Sequence, residues 1–171
     1  MRALVFVSVV ACALLGLTAP AIAAPAIAAP AIAAPATTQA ELTGYSFFDN
    51  TPPSSADICC PVLHRKAGGM GTFADPITTA VPGSGGREMQ TPKGTRLYVP
   101  KLRRYFIVED SGATPKSLRR FDLWVDGKGF SRRSSDLCMD DVTGKATVIL
   151  NPAAGLPVTV GPLTGRNGCV I

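Results

Sequence analysis

The stretch that decides the fold is Arg103–Val125, RRYFIVEDSGATPKSLRRFDLWV, two apolar, β-rich runs flanking a connection that contains Gly and Pro. Within YFIVED the side chains alternate as Tyr105, Ile107 and Glu109 against Phe106, Val108 and Asp110, the two-residue period of a strand. Both rows are mostly apolar, so the run reads as a strand, and which row faces the core stays open. DSG reads as a turn, and FDLWV as a second strand. The first run ends on Asp110, directly after Glu109, and the second holds Asp122.

Working outward, the same kind of run recurs as TGYSFF (43–48), ITTAV (77–81), TRLYV (95–99), ATVIL (146–150) and LPVTV (156–160). Turn signals such as PGSGG, TPKG and DGKG separate them. No long segment places apolar residues at helical spacing. The pattern therefore points to a closed or sandwiched all-β domain. One short helix fits Ser134–Val142, SSDLCMDDV, where a serine supplies the cap and Cys138 a point of attachment.

Ahead of this region, Met1-Arg2 precede an apolar run from Ala3 to Leu17 and a small-x-small site at Ala21-Ile22-Ala23. That is the layout of a secretory signal peptide over residues 1–23, with a run too short to span a bilayer. AIAAP then occurs at 21–25, 26–30 and 31–35. Proline at every fifth position opposes both helix and strand, so residues 24–41 read as a spacer or pro-segment and residues 42–171 as one folded domain. The expected product is a secreted, extracellular protein.

Cys12 falls in the leader, which leaves Cys59, Cys60, Cys138 and Cys169 in an oxidising compartment. A bridge between the neighbours Cys59 and Cys60 reads as strained. The two remaining pairings each staple the 59/60 turn to Cys138 and to the C-terminal end. The formal net charge is +5, and Lys93 to Arg133 holds eleven basic residues against four acidic ones. Such a face either steers an acidic partner or keeps a secreted protein soluble.

Several groups qualify as chemistry. Asp122, beside Phe121, Leu123 and Trp124, has the setting of a carboxyl with a raised pKa that could protonate a glycosidic oxygen. Asp110, before Ser-Gly, reads first as a turn former. His64 stands alone, which removes an ordinary Ser-His-Asp reading, and disulfide bonding of the neighbouring thiols removes a Cys/His pair or zinc set. AGGMGTFADP (67–76) lacks the lysine of a phosphate loop and reads as a tight crossing of backbone on backbone.

GTRLYVPKLRRYFIVEDSGA followed by RRFDLWV resembles the core of the double-psi β-barrel superfamily. Its members include expansins, barwin-like proteins, barrel-type endoglucanases and the three-aspartate domain of lytic transglycosylases. The resemblance implies a six-stranded barrel with one or two short helices over roughly residues 43–160. It implies too that the aspartate of the F-D-L strand, Asp122, lies in a substrate groove, with Asp110 as the E-D-S-G aspartate. Departures are equally specific. The endoglucanases place a second carboxylate just after T-x-Y, whereas Ser46 and Phe47 follow Thr43-Gly44-Tyr45 here and the nearest acid is Asp49. The glycine-isoleucine-lysine-glycine stretch of the transglycosylase domain is replaced by GATPKS.

A small, disulfide-stapled barrel whose carboxylate pair is incomplete suggests a binding protein. AGGMGTFADPIT, YFIVED and DLWV are most similar to bacterial papain inhibitors of this superfamily. The leading expectation is therefore a monomeric, non-catalytic inhibitor of papain-like cysteine proteases, without cofactor or metal and with no nucleic-acid or membrane partner. Insertion loops would be 81–94 and 111–120, and Asp122, Tyr45, Trp124, Arg119 and Arg120 would form the binding surface. The alternative is an expansin-like or transglycosylase-like protein that binds or loosens peptidoglycan or cellulose-type polysaccharide through Asp122, with Asp110 beside it.

Overall fold

The computed structural model describes residues 34–171; the leader and nearly all of the Ala/Pro tract lie outside them. Six strands close into a barrel: β1 Ala36–Ser46, β2 Ile77–Val81, β3 Arg96–Val99, β4 Arg104–Ser111, β5 Arg119–Asp126 and β6 Gly144–Leu150. Around the barrel the order is β1-β5-β2-β4-β3-β6. β1 runs parallel to β5 and β2 parallel to β4, while the remaining pairs are antiparallel. Parallel neighbours cannot be joined by a tight hairpin, so the chain crosses over the barrel to connect them. This arrangement is compatible with the double-psi barrel that the sequence resemblance implied.

β1 starts at Ala36, so residues 36–41 belong to the barrel although they read as spacer. ATTQAE shows no apolar alternation. Its backbone nevertheless pairs antiparallel with β6 from Ala36 to Leu42 and parallel with β5 from Ala40 onward, which closes the barrel. Leu42, Phe106, Val108, Phe121, Leu123 and Val148 are wholly closed to solvent and belong to one apolar core. In β4 the core row is thus Phe106 and Val108.

LPVTV (156–160) forms no strand. Pro157 has no N–H to offer a ladder, and the segment lies instead as an extended strap over β3 and β4. The Tyr98 hydroxyl donates to Pro157 O at 2.6 Å, and the Tyr105 hydroxyl donates to Ala153 O at 2.8 Å while accepting from Leu156 N at 2.9 Å. Thr159 N and Gly161 N donate to Arg103 O and Met70 O. The tight crossing expected at 67–76 is present. Gly69 has φ +110, and a Cβ there would stand 2.2 Å from Pro76 O, so only glycine fits.

Arg104 lies inside the protein. It is 0% exposed, and its guanidinium donates to Gly161 O, Leu102 O, Arg103 O and Val170 O at 3.2–3.5 Å. Burial, and secondarily Arg103, lowers its pKa from the usual arginine value. One member of the basic segment therefore ties the C-terminal residues to the barrel instead of facing a partner.

The helix, α1, runs Arg132–Val142, two residues longer at its start than the sequence suggested. Ser131 caps it, its hydroxyl accepting from Ser134 N. α1 packs on β1 where Gly44 leaves room; a Cβ there would meet Met139 at 2.9 Å. β7 (Thr164–Gly165) and β8 (Gly168–Cys169) form a small hairpin beside it.

The disulfides correct both pairings expected from the sequence. Cys138 on α1 bonds Cys169 on β8, with Cα atoms 4.4 Å apart, and Cys169 N donates to Asp141 Oδ2. Cys59 bonds its neighbour Cys60. The reason is placement: Cys60 is held on β4 by its N–H to Glu109 O and lies against Gly86, whereas Cys138 is buried under α1 facing β8.

Replacing Arg104 by Met preserves bulk but strips these carbonyls of their donors. Urea unfolding should show a loss of about 2 kcal/mol or more. A change within about 0.5 kcal/mol, the range of ordinary surface substitutions, would refute the anchoring role.

Candidate functional site

β2 runs between β4 and β5, and Ala80 is the Cα partner of both Asp110 on β4 and Asp122 on β5. Partnered residues on adjacent strands point to the same face of a sheet, so the two aspartates flank the Ala80 methyl, with Cα atoms roughly 10 Å apart from two strand spacings. The small side chain between them leaves open space.

That space is part of a cavity of ≈ 500 Å³ lined by Gly44, Tyr45, Asp49, Asn50, Thr51, Asp57, Ile58, Cys59, Ala80, Gly85, Asp110, Ser111, Gly112, Ala113 and Asp122. Among the described residues the lining holds four carboxylates and no Lys, Arg or His. In a chain of net charge +5 the acidic cavity is a local departure from the whole.

Each carboxylate is held differently, and Asp57 is ion-paired through Oδ1 with Lys66 Nζ at the cavity rim. Asp122 accepts from the Thr43 hydroxyl at 2.6 Å. Thr43 in turn accepts from Arg120 Nη2 at 3.0 Å and Nε at 3.3 Å, so the guanidinium reaches Asp122 through a hydroxyl. Burial pushes the Asp122 carboxyl above its usual pKa; Thr43 and Arg120 oppose this, and Asp49 and Asp110 reinforce it. Asp110 accepts from Tyr45 Oη at 3.1 Å, from Cys59 N at 3.2 Å and from Ser111 N at 2.9 Å. Burial raises its pKa as well, against the pull of those three donors. Burial and then Asp110 lift the Tyr45 phenol well above its ordinary value, so Tyr45 stays a neutral donor. Asp49 is exposed, its Oδ1 accepting from Ser46 N and Oγ at 2.7 Å each.

The sequence had set Asp110 first as a turn former. It lies within β4, with its carboxylate on the cavity. Trp124, expected on a binding surface, is 2% exposed and packs edge-on against Tyr45 at 5.1 Å, so it supports Tyr45 from below. Arg119 donates to Thr91 Oγ1 and, like Arg120, is half-buried, bracing the 82–94 loop. Asp49 had been noted only as the nearest acid after TGY; the turn after β1 brings it to the cavity. Among the described residues no three His, Cys, Asp or Glu side chains are grouped to hold a metal.

Behind one cavity wall lies a second polar cluster. Glu109, fully buried, accepts through Oε1 from the backbone N–H groups of Val62, Leu63 and His64 at 3.1, 2.5 and 2.9 Å. Its Oε2 faces His64 Nδ1 at 2.6 Å and accepts from Thr78 Oγ1 at 3.2 Å. His64 Nε2 faces Asp75 Oδ1 at 2.9 Å. With a carboxylate on each ring nitrogen, both must donate, which is the imidazolium form. Burial pulls the His64 pKa down, but the bonds to Glu109 and Asp75 outweigh it and the net shift is upward. For Glu109 burial works upward and is overcome by the His64 and Leu63 donors, so its pKa is lowered.

Fold and site together define a closed six-stranded, disulfide-containing barrel with an acidic cavity on its outer layer. The chain belongs to the family described as the DDB_G0273701 N-terminal domain, which matches residues 37–170. It is similar to "Uncharacterized protein DDB_G0273701/DDB_G0273221" of Dictyostelium discoideum, with 45% identity over 71 residues. The matched stretch takes in 42% of this chain and 29% of that relative, so the likeness spans less than a third of the relative's length. No solved structure matches the chain.

The His64 cluster sets a pH dependence. A raised histidine pKa contributes stability that is complete below its ordinary value of 6.5 and is lost as pH rises through the folded value; the lowered Glu109 contributes above 4.5 and loses it as pH falls. Melting curves from pH ~5 to ~9 should fall on the alkaline side, and His64→Gln should remove that fall. Parallel curves for the two proteins would show that His64 is uncharged in the fold.

Proposed function

We propose that this chain is an exported glycan-binding barrel in which Asp122 acts as an acid toward a glycosidic oxygen. The observation that carries the reading is the position of Asp122: desolvated, bonded to the Thr43 hydroxyl, and open to a 500 Å³ cavity whose lining, among the described residues, includes no basic side chain. A desolvated carboxyl keeps its proton to higher pH, which is what a general acid needs. Sugar hydroxyls are donors, and carboxylates at Asp49 and Asp110 are acceptors arranged around the same space.

The chemistry suits a single-carboxyl reaction of the lytic transglycosylase kind. Asp122 gives its proton to the departing sugar oxygen and then takes one from the incoming hydroxyl. Tyr45, kept neutral, holds Asp110 in place and can donate no second hydrogen bond. Peptidoglycan or cellulose-type polymers are the substrate class. Asp49 offers a second carboxylate facing the same cavity, which the departure from T-x-Y-D had argued against.

A separate observation supports the protease-inhibitor reading. Val62 and Leu63 are 47% and 50% exposed, yet their backbone is fixed by Glu109, giving a rigid apolar tip that would lose little entropy on entering a cleft. This tip uses none of the cavity carboxylates.

Asp122→Asn keeps an acceptor for Thr43 and removes the proton. Clearing of a peptidoglycan suspension should fall by about 100-fold or more with the melting temperature unchanged. Unaltered clearing by the variant would end the acid role. Titration against papain separates the two readings: equimolar loss of protease activity, unaffected by Asp122→Asn and abolished by Leu63→Asp, would establish the inhibitor instead.

A further inference from the structure

The cavity has an apolar wall that the aromatic count of the chain does not foreshadow. Its lining contains no Trp or Phe, and Trp124 is closed off beneath Tyr45. Ile58 and Cys59 line it instead, and Cys59 is bonded to Cys60. Cys59 is exposed and Cys60 buried, so the disulfide has one side on the cavity and one on the barrel.

The placement of this disulfide is fixed from several directions. Cys59 N donates to Asp110 Oδ1 at 3.2 Å and Cys60 N to Glu109 O at 3.2 Å, which sets the pair on β4. Cys59 Sγ lies 3.3 Å from Ser111 Oγ, and the same hydroxyl accepts from Gly86 N at 3.1 Å. Gly86 closes over the sulfurs from the other side: its φ is +78, and a Cβ there would be 2.6 Å from Cys60 Sγ. Only glycine allows the approach. The Glu109 cluster anchors the residues that follow, Val62 to His64. A surface locked in this way keeps its shape whether or not a ligand is present, which lowers the entropy lost on binding.

We propose that the Cys59–Cys60 disulfide, with Ile58, is the platform on which the C–H face of a pyranose ring rests, while the adjacent carboxylates accept the hydroxyls of its edge. This inference rests on the glycan reading of the cavity and names the contact that takes the place of an aromatic. The chemistry is complementary. A pyranose presents apolar faces and a polar rim, and sulfur is a soft, polarisable surface that behaves as a hydrophobe. The cavity supplies both kinds of surface side by side, since Asp110 bonds to the very residue, Cys59, that forms the platform. The ligand class is a neutral glycan, whose ring faces are not interrupted by charged groups and whose rim is not repelled by the cavity carboxylates.

The test uses the whole chain with cellopentaose and the pentamer of N-acetylglucosamine as probes, measured by calorimetry. Replacing both cysteines, Cys59→Ser with Cys60→Ser, leaves Cys138–Cys169 intact, and affinity should drop about tenfold, the effect of withdrawing some 50–60 Å² of apolar contact. In the unaltered protein, Overhauser contacts should link the axial ring protons of the sugar with the Ile58 and Cys59 side chains, a readout that does not depend on the double variant folding. Full-strength binding by a folded double variant, or ring contacts to other side chains only, would overturn the platform and leave the glycan reading standing. No binding of either probe by the unaltered protein would overturn both.

Discussion

Where β2 and β4 run side by side, Thr79 pairs with Val108 and Ala80 with Asp110, so Glu109 has no partner of its own. That one-residue slip is the constraint on which the outer layer depends. In regular pleating Glu109 and Asp110 would point to opposite faces; the extra residue bends the strand and lets both carboxylates leave the core. Glu109 then gathers the 62–64 backbone and His64, and Asp110 gathers Cys59 and Tyr45. The same strand positions both clusters and bonds the backbone N–H of each cysteine of the vicinal disulfide, Cys59 through Asp110 and Cys60 through Glu109.

The energetics follow from burial. A carboxylate closed off from water is tolerated only when hydrogen bonds replace its hydration. Glu109 has five such contacts and becomes a stronger acid than usual, whereas Asp122 has a single hydroxyl and becomes a weaker one. The difference in partners separates two acids of the same layer: one gives up its proton more readily than usual, the other holds its proton to higher pH.

Much of this was legible in the sequence. ITTAV, TRLYV, YFIVE, FDLWV and ATVIL all became strands because β-branched and aromatic runs between Gly and Pro turns have few other solutions. LPVTV has the same composition and failed, since composition does not reveal whether a neighbouring edge is free; the Tyr98 and Tyr105 hydroxyls hold it as a strap. β1 was cut short at its start because ATTQAE owes its strand conformation to two partners far along the chain. Asp122, Asp110 and Tyr45, singled out in the sequence, all line the cavity, but the cysteine pairing was not foreseen. Adjacency had been weighed only as a local penalty, while the packing of Gly86 and the bonds to Glu109 and Asp110 are long-range. His64 had been set aside as a metal or catalytic group; its partnership with Glu109, 45 residues away, leaves no local mark.

The measurement that bears most directly on the account is a carbon-13 titration of the aspartate side-chain carboxyls by NMR, with and without cellopentaose. The account places the Asp122 midpoint above the ordinary 3.8 and has it move when the sugar is added. An Asp122 that titrates at or below 3.8 and ignores the sugar would contradict the claim that this desolvated carboxyl is the working group of the cavity.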